Sequence, residues 1–375
     1  MRIRSIGKHS IVFGVVPLLM LLSMSALAAD LLPVPEIPYA PRHYVCYQTA
    51  EPLTIDGRLD ETAWQAAAPT EVFVDIEGDL KPLPRFHTHA RMLWDSTYFY
   101  VAAEMVEPDI WGKLTERDAV IYHDNDFEVF IDPDGDTHEY YELEMNALNT
   151  VWDLLLIKPY RDGAPAVNAW DIQGLKTAVS INGSLNVPGD IDSGWSVEIA
   201  IPWKVLSECA HRSSPPHEGD QWRVNFSRVE WQTEVKDGQY IKLLDSTTGK
   251  SLPENNWVWS PQGLIAMHYP EMWGIVQFTQ TVVGSEAVPF VEDIYEPIRW
   301  ALRLVYYAET DYRTEHGRFT SDWSDLGLDV SLENCTWPPL IEATSNQFEA
   351  MTSSNDGIVD FYITQDGRLR RENRR

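Results

Sequence analysis

Short runs in which every second residue is apolar recur from about residue 90 to residue 280, and no other feature restricts the fold as strongly. In Trp195–Ile201, the side chains of Trp195, Val197, Ile199 and Ile201 share one face, while Ser196, Glu198 and Ala200 share the other. A period of two marks a strand with one buried side, because successive side chains leave a strand on opposite faces. The same pattern is read in Arg91–Trp94, Tyr98–Glu104, Asp126–Asp132, His138–Asn146, Trp222–Val229 and Trp273–Phe278, with Gly, Pro, Asn and Asp between the runs. Many strands at this spacing, with few helical patterns among them, predict a mostly β protein. The expected form is an antiparallel β-sandwich of the jelly-roll or immunoglobulin-like kind. One short helix is expected over Glu61–Ala67, with Asp60 as its cap and Trp64 against the sheet.

The two ends of the chain follow other rules. Arg2, Arg4 and Lys8 precede an apolar run from Ile11 to Leu22, and Ala26-Leu27-Ala28 follows. A basic start, a short apolar stretch and an A-x-A site describe a secretory signal peptide over residues 1–28, which predicts a secreted or periplasmic protein. The apolar run falls short of the roughly 20 residues that a membrane span needs, so the mature chain is not expected to span a membrane. Residues 29–43 are Pro-rich and read as an extended lead-in to a sandwich over residues 44–280. From Asp293, the residues Ile294, Ile298, Ala301, Leu302, Val305, Tyr306 and Ala308 recur at mostly three-to-four spacing. They predict an amphipathic helix with Pro297 in its first turn and Gly317 at its end. Gly357–Thr364 and Arg368–Glu372 flank Gln365-Asp366-Gly367 as a hairpin, so residues 281–375 are expected to form a small α+β module. The run from Tyr306 to Phe319, followed by Ser321–Leu328, looks like the globular part of a type IV pilin-like subunit.

Charge narrows the range of partners. With 57 Asp and Glu against 29 Lys and Arg, the formal net charge is -28. A field of that sign repels phosphate backbones, so no nucleic-acid partner is expected. Neutral or cationic ligands, divalent cations and proteins remain. The 15 Trp and 16 Tyr offer flat rings with polar edges, surfaces on which a sugar ring can lie. The three cysteines, Cys46, Cys209 and Cys335, are an odd and scattered set that allows one bridge at most and has no metal-ligand spacing.

Several blocks occur in a definite order. Leu53–Trp64 (LTIDGRLDETAW) comes first, then Leu93–Val101, Asp124–Asp132, Gly194–Trp203, Gly219–Phe226, and Trp259-Ser260-Pro261 leading to Trp273-Gly274. The ordered set, spanning residues 45–279, resembles the family 9 carbohydrate-binding modules. The resemblance implies a sandwich that clamps a sugar between two aromatic rings and binds its hydroxyls with polar side chains. Carried over by position, the first ring falls on Tyr122 and the hydroxyl-binding carboxylate on Glu128. Asn146 matches a family Asn. Two positions depart from the pattern: Met267 stands where the second ring is expected, and Glu144 where the family has Arg. The aromatic-rich stretch Asn255–Trp273 reads as a binding loop, so Trp257, Trp259, His268 and Tyr269 join the candidate contacts. Trp152, followed by Asp153, is a further candidate.

The reading is therefore an exported, non-catalytic carbohydrate-binding protein that serves polysaccharide utilisation. No nucleophile elbow, phosphate-binding loop or H-E-x-x-H motif is present to suggest an enzyme. Asp132, Asp134 and Asp136 share a tight turn of the kind that supplies oxygen ligands to calcium, so a structural Ca²⁺ is the one cofactor considered there. Two other readings are carried. One is a b-type haem carrier using Met267 or His268 with His87 or Met92, since related sandwiches hold haem through Met and His. The other is a surface or assembly protein acting through protein contacts of residues 281–375.

Overall fold

The computed structural model describes residues 31–374, and the signal-peptide reading lies outside them. Leu31–Arg375 forms one compact unit. The first strands are β1 (His43–Gln48), β2 (Val74–Asp75), β3 (Thr88–Trp94), β4 (Tyr98–Met105), β5 (Asp126–Asp132), β6 (Tyr140–Asn146), β7 (Val151–Leu156) and β8 (Ala166–Val167). After them come β9 (Lys176–Asn182), β10 (Gly194–Pro202), β11 (Gln221–Glu230), β12 (Thr233–Lys236), β13 (Gln239–Lys242), β14 (Asn255–Val258) and β15 (Gly274–Val282). The helices α1 (Thr62–Ala66) and α2 (Trp203–Leu206) are short. The C-terminal part holds α3 (Glu296–His316) and β16 (Leu340–Ala343), β17 (Phe348–Ser353), β18 (Val359–Thr364) and β19 (Leu369–Asn373).

The sandwich has two layers, β8-β7-β6-β5-β11-β15 and β3-β4-β10-β9, joined through β1. The first half of β1 runs parallel to β15, and Tyr47 and Gln48 then run parallel to β3. The pairing slips between Cys46 and Gln48, where the strand passes from one layer to the other. These parallel pairings join two layers whose other strands pair antiparallel, as expected. Among the described residues no hairpin leads into β1, so its direction is not set by a tight turn from a neighbour.

Alternation accounts for the core. Phe127, Val129 and Ile131 of β5 and Tyr141, Leu143 and Met145 of β6 meet Met92, Val101, Ala103, Val197 and Ile199 from the opposite layer. Ten of the 15 tryptophans are buried, so most of the indole surface that suggested sugar contacts serves packing instead. Trp203 meets Trp94, Trp222 and Phe278 edge to face at 5.5–6.0 Å, a geometry that aligns ring edges with ring faces.

The separated blocks of sequence meet at one carboxylate. The Asp56 and Gly57 amides donate to Glu198 Oε2 at 2.9 and 2.8 Å, and Trp64 Nε1–H donates to Oε1 at 2.7 Å. Gly57 has φ +88°, and a Cβ there would lie 2.5 Å from the backbone of Val179. The Ile-Asp-Gly turn, the following Trp and the Glu of the Trp195 run are thus one interlocked unit. The helix cap differs from expectation: Glu61 occupies the capping position with no side-chain bond, and Asp60 lies outside it.

Helix α3 packs Ile298, Leu302, Val305 and Tyr306 on Val359, Phe361 and Ile363 of the four-stranded antiparallel sheet β16–β19. Gly317 ends it in the left-handed conformation, its amide donating to Arg313. The lead-in lies along this helix: Tyr39 stacks on Trp300 at 4.2 Å, and Leu32 N donates to Asp311. The three cysteines are free thiols. Among the described residues, no helix is long and apolar enough to cross a membrane.

Candidate functional site

The outer face of the first layer carries residues that a strand of ordinary sequence would show to water. On β5 these are Asp126, Glu128 and Phe130, and on β6 they are Tyr140, Glu142 and Glu144. Glu128 lies directly opposite Glu144, and Glu144 lies opposite Trp152 on β7. Like charges in facing positions are unfavourable, and burial worsens the conflict. Yet Asp126 is fully buried and Glu128 is 5% exposed. Oxygens of Asp126, Glu128 and Glu144 lie within 4.8 Å of one another.

Among the described residues, none of the four acids has a Lys, Arg or His within ion-pair distance. Burial pushes the Glu128 carboxyl up to about 7, against the Ser227 hydroxyl, and Glu254 adds to the rise. Burial first, and the Glu128 charge second, hold Asp126, Glu142 and Glu144 well above the carboxylate range.

Aromatic groups stand at the edge of this floor. Tyr122 sits in the turn Ile121–His123; its amide donates to Glu144 Oε2 at 3.0 Å and its carbonyl accepts from Trp231 Nε1 at 2.8 Å. Fixed at both ends, the residue is 38% exposed. Tyr160, in the turn after β7, is 49% exposed and meets the His268 ring edge to face at 4.5 Å. Burial raises both phenols, and the Glu142 and Glu144 charges raise them further, Tyr160 to about 12. Half-buried Trp152 and Met267 pack beside Phe130, Tyr140 and Trp273. His268 is half-buried, with Nδ1 2.8 Å from the Tyr140 hydroxyl. Burial, and then the Arg161 charge, hold its pKa down at about 3, so the ring is neutral.

The structure thus brings Tyr122, Glu128, Glu144, Trp152, Met267 and His268 to one face and buries four other candidates. Trp257 is buried in the sandwich core under Phe86 and the Arg228 guanidinium. Trp259 is wholly buried, donating to Glu71 at 2.9 Å and meeting Phe226 and Tyr44. Tyr269 turns to the C-terminal core, donates to the Pro33 carbonyl at 2.7 Å and lies 4.1 Å from the Arg161 guanidinium. Two of these rings fill the sandwich core and the third the C-terminal core, and alternation alone does not separate them from a binding loop. Asn146 is buried, and its amide is consumed by the chain: Nδ2 donates to Leu114 O and Asp124, and Oδ1 accepts from Leu148 and Thr150.

The haem arrangement does not assemble either. Met92 lies in the core between the layers, His87 sits at the start of β3, and Met267 and His268 lie on the outer face of the other layer. In the turn after β5, the oxygens of Asp132, Asp134 and Asp136 also lie within 4.8 Å of one another, but they are occupied. Asp132 accepts from Gly135 and Thr137, and Asp136 accepts from His138 and from Arg368 at 2.7 Å.

Three contributors to the face, Asp126, Glu142 and Tyr160, escaped the sequence reading, although Asp126 keeps step with Glu128 along β5. Glu142 alternates with Tyr141 and Leu143 in step with Glu144, so periodicity alone places it beside Glu144. Tyr160 carries no such signal, because it lies in a turn that only the tertiary fold brings to β6.

Residues 55–250, more than half of the chain, match the model of the carbohydrate family 9 binding domain-like family. An exoglucanase XynX of Acetivibrio thermocellus is 29% identical over 118 residues, 32% of this chain and 9% of that protein. An endo-1,4-beta-xylanase A of Thermoanaerobacterium saccharolyticum is 27% identical over 153 residues, 41% of this chain and 11% of that protein. The chain spans about a tenth of the length of these curated relatives. A family 9 carbohydrate-binding module from Caldicellulosiruptor kristjanssonii, solved with cellotriose, superposes with a TM-score of 0.39 at 14% identity. The superposition covers 66% of this chain and 100% of that one. With its two-layer β architecture and the match over residues 55–250, the chain belongs to the carbohydrate family 9 binding domain-like family.

Proposed function

We propose that the protein is an exported, non-catalytic carbohydrate-binding protein whose sugar lies on the outer face of β5 and β6. The observation that carries this reading is the pairing of exposed rings at Tyr122 and Tyr160 with buried acids at Glu128 and Glu144 on one face. A pyranose presents an apolar face to stack on a ring and equatorial hydroxyls to bond to carboxyl oxygens. Trp152 and Met267 extend the apolar part of the platform, and the buried aromatic residues at 257, 259 and 269 have no part in it. The ligand class is a β-linked plant polysaccharide, in keeping with the glucanase and xylanase relatives, and export follows from the N-terminal pattern. Protein contacts through residues 281–375 would then fix the module on a larger assembly.

A glycan array probed with the full chain tests this reading. Binding to glucan or xylan oligosaccharides at a Kd of roughly 1 mM to 1 µM, about -4 to -8 kcal/mol, is the expected result. A chain that is folded and retains no glycan overturns it.

A further inference from the structure

We infer that Asp126, Glu128 and Glu144, with Glu142 beside them, hold a hard divalent cation of the calcium class at the base of the outer face. Calcium takes six to eight oxygens at 2.3–2.6 Å, so two oxygens across one ion are about 5 Å apart. The three carboxylates bring oxygens within 4.8 Å of one another, which is the span of one coordination sphere.

The way each acid is held points to the same ligand. Asp126 Oδ1 accepts from Val229 N at 3.1 Å, whereas Oδ2, in a fully buried residue, has no hydrogen-bond partner. Glu144 Oε2 is anchored by the Tyr122 amide. Glu142 Oε2 is likewise buried without a partner. In Asp126 one oxygen thus fixes the side chain to the backbone and the other is left without a partner. Unpartnered buried acceptors are costly, and an ion among them satisfies several at once.

Two other acidic groups among the described residues make the contrast. In the group Asp132, Asp134 and Asp136, Arg368 pairs with Asp136, and in the group Asp118, Asp153 and Asp171, Arg117 pairs with all three. Only the group under Tyr122 has no cationic side chain. Rings at Tyr122, Trp152 and Tyr160 adjoin it, and a sugar stacked there can ligate the ion with hydroxyl oxygens while its hydroxyl protons bond to the carboxylates. The cation inference rests on the sugar reading only for that last part of the coordination shell.

Terbium, a luminescent stand-in for calcium, provides the test on the full chain. Excitation of the aromatic residues should give saturable terbium emission that calcium displaces. D126N and E144Q should each weaken terbium affinity at least tenfold, and D134N should leave it unchanged. Calcium should also raise the melting temperature of the wild type and of D134N alike, a readout that holds even where the acid variants fold poorly. Absence of saturable emission overturns the inference, as does loss of binding in D134N. A melting temperature raised by tetramethylammonium but not by calcium overturns it as well. Equal glycan binding with and without chelator, alongside absent terbium binding, leaves the sugar reading standing and removes the ion. Terbium binding lost in D126N and E144Q, on a chain that retains no glycan, keeps the ion and removes the sugar.

Discussion

The amide of Tyr122 donates to Glu144 Oε2 across 3.0 Å, so the ring that rises from the candidate face is tied to the acid that forms its floor. A turn residue and a strand residue 22 positions apart are held as one unit. The carbonyl of Tyr122 is fixed by Trp231 in turn, which sets the ring before any ligand arrives. Preorganisation of this kind lowers the ordering cost of binding.

The first prediction concerns the rings. Tyr122→Ala and Tyr160→Ala should each weaken glycan binding about tenfold, ~1.4 kcal/mol, as measured by isothermal titration calorimetry. Both rings are well exposed, so stability should change by no more than about 0.5 kcal/mol in urea denaturation. Unchanged affinity in both variants would move the ligand elsewhere.

Core rings should behave in the opposite way. Trp259 is wholly buried against Gly274, Tyr44 and Phe226. Trp259→Ala is expected to cost about 3–5 kcal/mol of stability. Glycan affinity of the fraction that remains folded should stay near wild type. A stable variant with lost binding would return Trp259 to the site.

The entry turn gives a third expectation. Glu198 accepts from Asp56 N, Gly57 N and Trp64 Nε1, so Glu198→Ala leaves three donors unsatisfied. The loss should be roughly 2–4 kcal/mol in chemical denaturation. Gly57→Ala should also destabilise, because a Cβ at φ +88° meets the Val179 backbone. A neutral effect of both changes would mean that the interlock does not contribute to stability.

Acid should act where α3 meets the sandwich. Burial alone would raise Glu271, but Arg161, and then Arg303, hold it at about 2 against an ordinary 4.5. A folded value below the unfolded one stabilises the protein above pH 4.5, and that stability drains as the pH falls toward 2. The gap corresponds to roughly 3 kcal/mol. Glu271→Gln should start less stable at pH 7 and lose less across that window in urea melts. Parallel losses in both proteins would exclude Glu271 as the titrating group.

Much of the fold was legible because alternation is local. The expected strand Asp126–Asp132 matches β5 residue for residue, and the Trp195 run lies within β10 with its apolar side in the core. The C-terminal helix ends at Gly317 as its composition requires. Periodicity could not reveal the parallel pairing of β1, since direction depends on how a strand is reached and not on its side chains.

The face was legible only in part, and for a physical reason. Sequence alone determined which residues alternate, which turns need glycine, and that Tyr122 and Glu128 stand six residues apart at the entrance to one strand. The tertiary structure decided which aromatic groups are load in the core and which meet water, because an indole serves both roles with the same chemistry. It sent Trp257, Trp259 and Tyr269 inward, spent the amide of Asn146 on its own turn, and brought Tyr160 from a distant loop to the edge of β6. It also set four acids side by side without a basic partner, a juxtaposition created by strand register and burial rather than by any motif.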